Sequence, residues 1–456
     1  MSSRKIGRAL AASVAIVALG AGLSACSGFG KVPSIPFMGK KDDKKHQVTA
    51  KGERIPVLAL NQKLEPSAAL SGVGFQIPAP QDQADWPVPG GNAEHAIEHV
   101  SAGKDLKIAW REHIGRGDSA TSEITSPPVV AEGKVFALDG RAQVAALDAL
   151  TGHPAWKTDL APRKGLDREA YGGGVAYADG QVFVASGYRF VAALDAKTGR
   201  QLWRTEMNSP VHGAPNVADG KLYVVDTEDQ LHTLDVKTGQ ELWSYQALEE
   251  PARMEVASSP AVAGDTVIAP FASGELTALK TANGNDLWSF VLSLTNRNSA
   301  LSEIRDIAGR PVIYHGDAFA GSHSGVFAAV DLRTGQPKWS QPIATISAPW
   351  PAGDVIYVTD QAGTVVCLDR GSGQVYWMDE LNKNLRKKFR ANWSGPILAS
   401  ERLIIVSDKG ELLALDPHTG KKETSLRLGA PAFLTPVAAG GLLYVLANNG
   451  DLVAIR

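Results

Sequence analysis

The chain has 456 residues, 44% of them apolar and 21% charged, which is ample material for a large buried core and excludes a disulfide mini-protein or a disordered tail. A formal charge of −2, from 46 Lys+Arg against 48 Asp+Glu, argues against nucleic acid or an anionic membrane surface as the main partner, because both need concentrated positive charge. Two cysteines supply neither a disulfide framework nor a Cys₄ zinc site.

The first element is an address. Residues 1–8 are short and basic, and residues 9–23 form a run of small and apolar side chains, too short for a bilayer-spanning helix and suited to a signal peptide. The run ends in Leu23-Ser24-Ala25-Cys26, which resembles the lipobox of bacterial lipoproteins. That resemblance implies cleavage after residue 25 and acylation of Cys26, palmitate included, as the mature N-terminus. Several acyl chains anchor a protein far more firmly than one. Ser27 stands where an Asp commonly signals inner-membrane retention in this class, so the outer membrane is the expected destination.

Residues 27 to about 103 are rich in Pro, Gly and charge, with Lys40-Lys41-Asp42-Asp43-Lys44-Lys45 as a solvated spacer, and they read as a tether. Within this stretch His95-Ala96-Ile97-Glu98-His99 matches the His-x-x-Glu-His pattern of inverted zinc proteases. No helical domain surrounds it to supply a third ligand. A structural or solvated helix is expected there, with no metal. The expected division is a signal peptide at 1–25, a lipidated Cys with flexible linker and lead-in segment at 26–105, and a repeat body at 106–456.

The body repeats a turn at fixed internal spacing. An Asp is followed four residues later by Gly and four residues after that by Trp: Asp148, Gly152 and Trp156; Asp195, Gly199 and Trp203; Asp235, Gly239 and Trp243; Asp331, Gly335 and Trp339; Asp369, Gly373 and Trp377. One unit has Lys280 in place of Asp, with Gly284 and Trp288, and the seventh has Asp416 and Gly420 with Thr424 in the aromatic slot. Spacing between units varies, so a rigid turn is joined by adjustable loops, a repeat architecture. Before each turn stand two period-two runs separated by Gly, Asp or Asn, which spells a hairpin. Four short antiparallel strands per unit make the blade of a β-propeller. Gly supplies the positive φ of the turn, Asp accepts hydrogen bonds from its amides, and Trp offers a rigid face to the next blade.

An eighth hairpin occupies residues 442–455 and has no Trp strand after it. The missing strand lies at the other end, in residues 106–111 around Trp110. The expected fold is therefore all-β: an eight-bladed propeller of four-stranded antiparallel blades, its last blade closed by N- and C-terminal strands, with seven blades as the competing count. Cys367, in the apolar run 364–368, reads as a buried, inert thiol.

The unit Leu-Asp-x-x-Thr-Gly-x-x-x-Trp, nearly intact at 194–203 and 234–243, resembles the repeat of quinoprotein-type propellers over most of 107–456. Joined to a lipobox, a Pro-rich tether and a solitary propeller, it resembles the BamB family, lipoproteins of the outer-membrane β-barrel assembly machine. Trp86-Pro87-Val88-Pro89-Gly90-Gly91-Asn92 is similar to the lead-in of such propellers. The resemblance implies a non-enzymatic scaffold without cofactor, lipid-anchored and facing the periplasm. It would dock on BamA, work with other barrel-assembly components and assist nascent outer-membrane proteins in folding and insertion. By the same resemblance, BamA contacts carry over to 250–255 and 303–308, with Met254, Glu255, Arg305 and Asp306 as candidates. Asp306 matches an acidic position of the family. Ala308 stands where a second acid is expected, and Met254 and Glu255 replace a Leu/Arg pattern.

The alternative branch is a periplasmic quinoprotein oxidoreductase using pyrroloquinoline quinone and Ca²⁺. Those enzymes place two adjacent cysteines beside the quinone, and many add a Cys-x-x-Cys-His haem site; neither pattern occurs in this chain. No nucleophile, acid or base constellation stands out. A propeller with a central sugar pocket is a third reading. Arg386-Lys387-Lys388-Phe389-Arg390 reads as a solvated loop or as a docking surface for an acidic partner.

Overall fold

The computed structural model describes residues 64–162, 170–248, 258–292 and 306–456, all within one compact unit that spans Ala59–Arg456. Cys26, the lysine-rich spacer at 40–45, Met254, Glu255 and Arg305 lie outside the described residues.

Among the described residues, eight four-stranded antiparallel sheets follow one another around a ring. Blade 1 takes residues 129–159, blade 2 173–206, blade 3 216–246, blade 4 261–291, blade 5 312–341, blade 6 350–380 and blade 7 393–427. Blade 8 combines Val437–Ala439, Leu442–Leu446 and Asp451–Ile455 with Ile108–His113 from the other end of the chain. The seam is further tied by the reciprocal backbone pair Lys107 and Arg456, 2.9 Å in each direction. Eight blades and closure from both termini are thus observed, and the seven-blade count is excluded.

Period-two patterning explains why the core lies between blades and not within them. In blade 2, Val182 and Val184 pack toward blade 1, whereas Phe183 and Ala185 pack toward blade 3. Both faces of the middle strands are therefore apolar, and a blade has no stable existence without neighbours. Outer strands show the opposite habit: Glu241–Gln246 alternates exposed and half-buried residues, as a strand with one wet face must. Cys367, in the third strand of blade 6, is fully buried, and that burial pushes its thiol pKa up, as an inert core position requires.

The Asp, Gly and Trp of the repeat form two joints. Within the turn, Asp195 Oδ1 accepts from the Thr198 hydroxyl at 2.7 Å and the Thr198 amide at 2.8 Å, while the Gly199 amide bonds the Asp195 carbonyl. Between blades, Trp203 of blade 2 lies against Gly239 of blade 3 and donates its indole N–H to the Val236 carbonyl at 2.9 Å. The same pairing joins Trp110 to Gly152, Trp156 to Gly199, Trp243 to Gly284, Trp288 to Gly335, Trp339 to Gly373 and Trp377 to Gly420. Blade 8 has no such turn, because the chain is broken there. Its neighbour, blade 7, is the one carrying Thr424 in place of Trp. The lost aromatic and the broken blade are one fact: a Trp is present wherever a following glycine turn exists to receive it.

The Thr hydroxyl and amide hold the carboxyls of Asp148, Asp195, Asp235 and Asp331 below their ordinary value of 3.8. A carboxylate depressed in the fold stabilises above its unfolded pKa and loses that contribution as pH falls through the folded value, so these turns weaken below about pH 4. Thr198→Val removes the leading cause at Asp195. We expect the Asp195 pKa to rise toward 3.8 in a carboxyl-carbon NMR titration; no change would show that the hydroxyl does not hold the charge.

Candidate functional site

A propeller offers its axis and its two faces. Here one mouth of the axis is closed by the chain itself. The lead-in segment, 83–103, bonds in turn to the innermost strand or first turn of every blade. The Trp86 amide and carbonyl pair with Val130 of blade 1, the Pro87 carbonyl accepts from Tyr177 of blade 2, and the Ala93 carbonyl accepts from Asn216 Nδ2 of blade 3 and the Val262 amide of blade 4. The Glu94 carbonyl then takes the Ile313 amide of blade 5, and the Glu98 carbonyl takes the Trp350 indole of blade 6 at 2.8 Å. Val100 bridges Leu398 and Ser400 of blade 7, and Gly103 and Gln83 reach Gly441 and Gly440 of blade 8. Trp86, 1% exposed, stacks on Trp350 with ring centroids 6.1 Å apart.

This path corrects the tether reading for the part of 27–103 that is described. From about residue 64 the chain is bound, with Ser67 bonded to Val375 and Gln374 at blade 6 and Phe75 stacked on His418. Glycine here serves close approach, to blade 8 at Gly103, where a Cβ would run into Leu443, and within the segment at Gly91, where a Cβ would meet Ile97 at 2.5 Å and Trp86 at 3.1 Å.

His95 and His99 are structural, but not on the expected helix: residues 93–99 are turn and extended chain, and His95 has φ +62°. His95 Nδ1 donates to the Pro311 carbonyl at 2.9 Å and its Nε2 faces Asn216 at 3.3 Å. Burial first, and the Arg310 charge second, push its pKa down to about 3. His99 Nδ1 donates to the Pro78 carbonyl at 2.6 Å, and its Nε2 accepts the Glu401 amide at 2.8 Å. Every ring nitrogen is thus engaged, and no group of three His, Cys, Asp or Glu suited to a metal occurs among the described residues.

At the opposite mouth the connections from outer to next inner strands leave a cavity of about 150 Å³. Its lining includes the polar Arg310, Ser347 and Thr435 and the apolar Ile124, Phe433 and Leu434. Of the expected partner contacts, Asp306 lies nearby in sequence, just before blade 5. It is 7% exposed, and its carbonyl accepts the His323 amide at 2.9 Å. The basic stretch at 386–390 forms a short 3₁₀ turn, Lys387–Phe389, with Phe389 58% exposed and the Lys388 ammonium 4.8 Å from its ring. Asn382 clamps the base of that loop through the Ala362 and Ala391 carbonyls. Sequence reasoning missed Arg310 altogether. Gly309-Arg310-Pro311 looks like any loop, and nothing local reports that it lines the cavity.

Comparison with known proteins agrees with this architecture. The profile of the family described as outer membrane protein assembly factor BamB matches residues 140–379 and 382–456. A BamB of Xanthomonas campestris is 30% identical over 373 residues, 80% of this chain and 89% of that protein. A BamB of Alkalilimnicola ehrlichii is 28% identical over 200 residues, 44% of this chain; the match spans about half the length of that relative, 51%. Among solved structures, BamB from Moraxella catarrhalis superposes with a TM-score of 0.66 at 19% identity, covering 76% of this chain and 99% of that one. A quinohemoprotein alcohol dehydrogenase from Comamonas testosteroni gives 0.64 at 15% identity, covering 81% and 80%, a likeness of fold alone. With a family profile that covers more than half of its residues, this chain belongs to the BamB family.

Proposed function

We propose that the chain is a non-enzymatic assembly factor of the outer membrane. It is tethered through lipidated Cys26 on the periplasmic side, docks on BamA and assists the folding and insertion of outer-membrane proteins. The observation that carries this reading is the family match across the blades, joined to a propeller whose axis is stoppered by its own lead-in segment. A stiff closed disc presents loops, and loops on a rigid scaffold are where binding residues concentrate. Residues 249–257 stand in the sequence between blades 3 and 4, and residues 293–305 between blades 4 and 5. Met254, Glu255 and Arg305 are the proposed contacts, with buried Asp306 at the base of the second loop. Absence of an adjacent cysteine pair gives the quinoprotein alternative no support.

The test is photo-crosslinking in native membranes from probes placed at residues 254 and 305 of the full chain. A BamA adduct is expected at both, with co-isolation of BamA falling at least tenfold in a Met254→Arg, Arg305→Glu double variant whose circular dichroism is unchanged. Adducts absent from both positions, with co-isolation undiminished, would rule these loops out as the contact.

A further inference from the structure

We propose that the open mouth of the channel holds a small carboxylate, with Arg310 as its charge partner. This stands apart from the assembly reading and does not depend on it.

Arg310 is held firmly. A Cβ on the preceding Gly309 would lie 2.6 Å from the Ser347 carbonyl, and the following Pro311 carbonyl is bonded by His95. Arg310 is half-buried, its accessible part forming cavity wall, and burial pulls its pKa down to about 10, so it remains charged at neutral pH. Its Nε has no hydrogen-bond partner, and no described group forms an ion pair with it. A half-buried cation whose buried Nε–H meets no acceptor is costly and is relieved by an anion or a set of acceptors in the cavity. His95, the neighbouring titratable group, is neutral and supplies none.

The remaining wall selects the anion. Two carboxylates line the same cavity. Asp118 is engaged by the Ile124 amide at 2.9 Å and Asn448 Nδ2 at 2.7 Å, and burial raises its pKa; Glu123 is exposed at the rim. Ser347 and Thr435 add polar residues to the lining, and Ile124, Phe433 and Leu434 add apolar surface. About 150 Å³ exceeds the roughly 30 Å³ of a water several-fold and falls short of a drug-sized ligand. A planar carboxylate matches a guanidinium bidentately, and a short alkyl group on it would cover the apolar surface where a hydrated phosphate would not. The carboxylate has two possible sources, a free short-chain acid or the C-terminus of a peptide entering the mouth.

The experiment titrates the intact protein with isobutyrate, inorganic phosphate, and the tripeptide Ala-Ala-Val as free acid or C-terminal amide, read by thermal shift and calorimetry. Saturable stabilisation by isobutyrate is expected, at least tenfold weaker in Arg310→Met, which removes a half-buried charge and so folds with an equal or higher Tm. In the wild-type protein, without any variant, isobutyrate should also move the His95 ring resonances, since the anion offsets the Arg310 charge beside them. Binding of the free-acid peptide but not its amide assigns a peptide terminus; binding of isobutyrate with neither peptide assigns a free acid. No saturable response to isobutyrate or to the acid peptide, an equal response in Arg310→Met, or phosphate binding as tight as isobutyrate would overturn the proposal.

Discussion

Replacing Gly239 with valine is expected to destabilise the propeller by about 3–5 kcal/mol, read as a lower urea midpoint followed by tryptophan fluorescence. Two costs add. Gly239 has φ +70°, where a β-carbon is strained, and that carbon would stand 2.4 Å from the Trp203 ring. Gly220 separates the costs: its φ is +72° but nothing lies within 4 Å of the added carbon. Gly220→Val should therefore show the backbone part alone, about 1–2 kcal/mol. Equal losses in the two variants would mean that seating Trp203 on the glycine contributes nothing. Because the joint recurs at seven of the eight junctions, a loss at one should lower the cooperativity of the ring, since each blade buries its faces only against its neighbours.

Trp86→Ala is expected to cost about 3–5 kcal/mol. The indole is 1% exposed, stacks on Trp350, and donates to the Pro89 carbonyl at 3.2 Å, so truncation leaves both a void and an unmet acceptor. The loss should fall first on the lead-in segment, because the blades keep their own hydrogen bonds. Hydrogen exchange should speed up at the amides of Val130, Tyr177 and Val262, which bond that segment, and limited proteolysis should cut within 64–106 before the blades open. Unchanged protection at those three amides, together with a uniformly lowered Tm, would show that the segment is not a separable closure. The backbone of Trp86 pairs with blade 1 while its ring stacks on Trp350 of blade 6, so this one residue ties the segment to both.

The candidate site was legible in parts. Trp86-Pro87 announced a lead-in segment by resemblance, and the histidines at 95 and 99 announced themselves as a motif, yet their zinc spacing proved incidental once three of the four ring nitrogens were seen on backbone groups and the fourth against Asn216. A backbone carbonyl such as that of Pro311 or Pro78 has no sequence signature, so partners of this kind cannot be read from residue types. Asp306, expected as a partner contact from its matching position, is buried in the fold, and its carbonyl is taken by the His323 amide of blade 5, a partner that the loop sequence does not announce.

The repeat and its closure by strands from both ends were legible in the sequence, because the Gly-to-Trp spacing is a local geometric demand that each unit meets by itself, and the missing Trp at Thr424 marks the junction where the chain ends meet; the count of eight over seven was decided by the structure. The route of residues 83–103 across eight blades and the place of Arg310 in the cavity wall were decided only by tertiary structure. Both arise from groups far apart in sequence, such as Gln83 with Gly440 and Ala102 with Ser400, and such proximity is a property of the closed ring, not of any stretch of it.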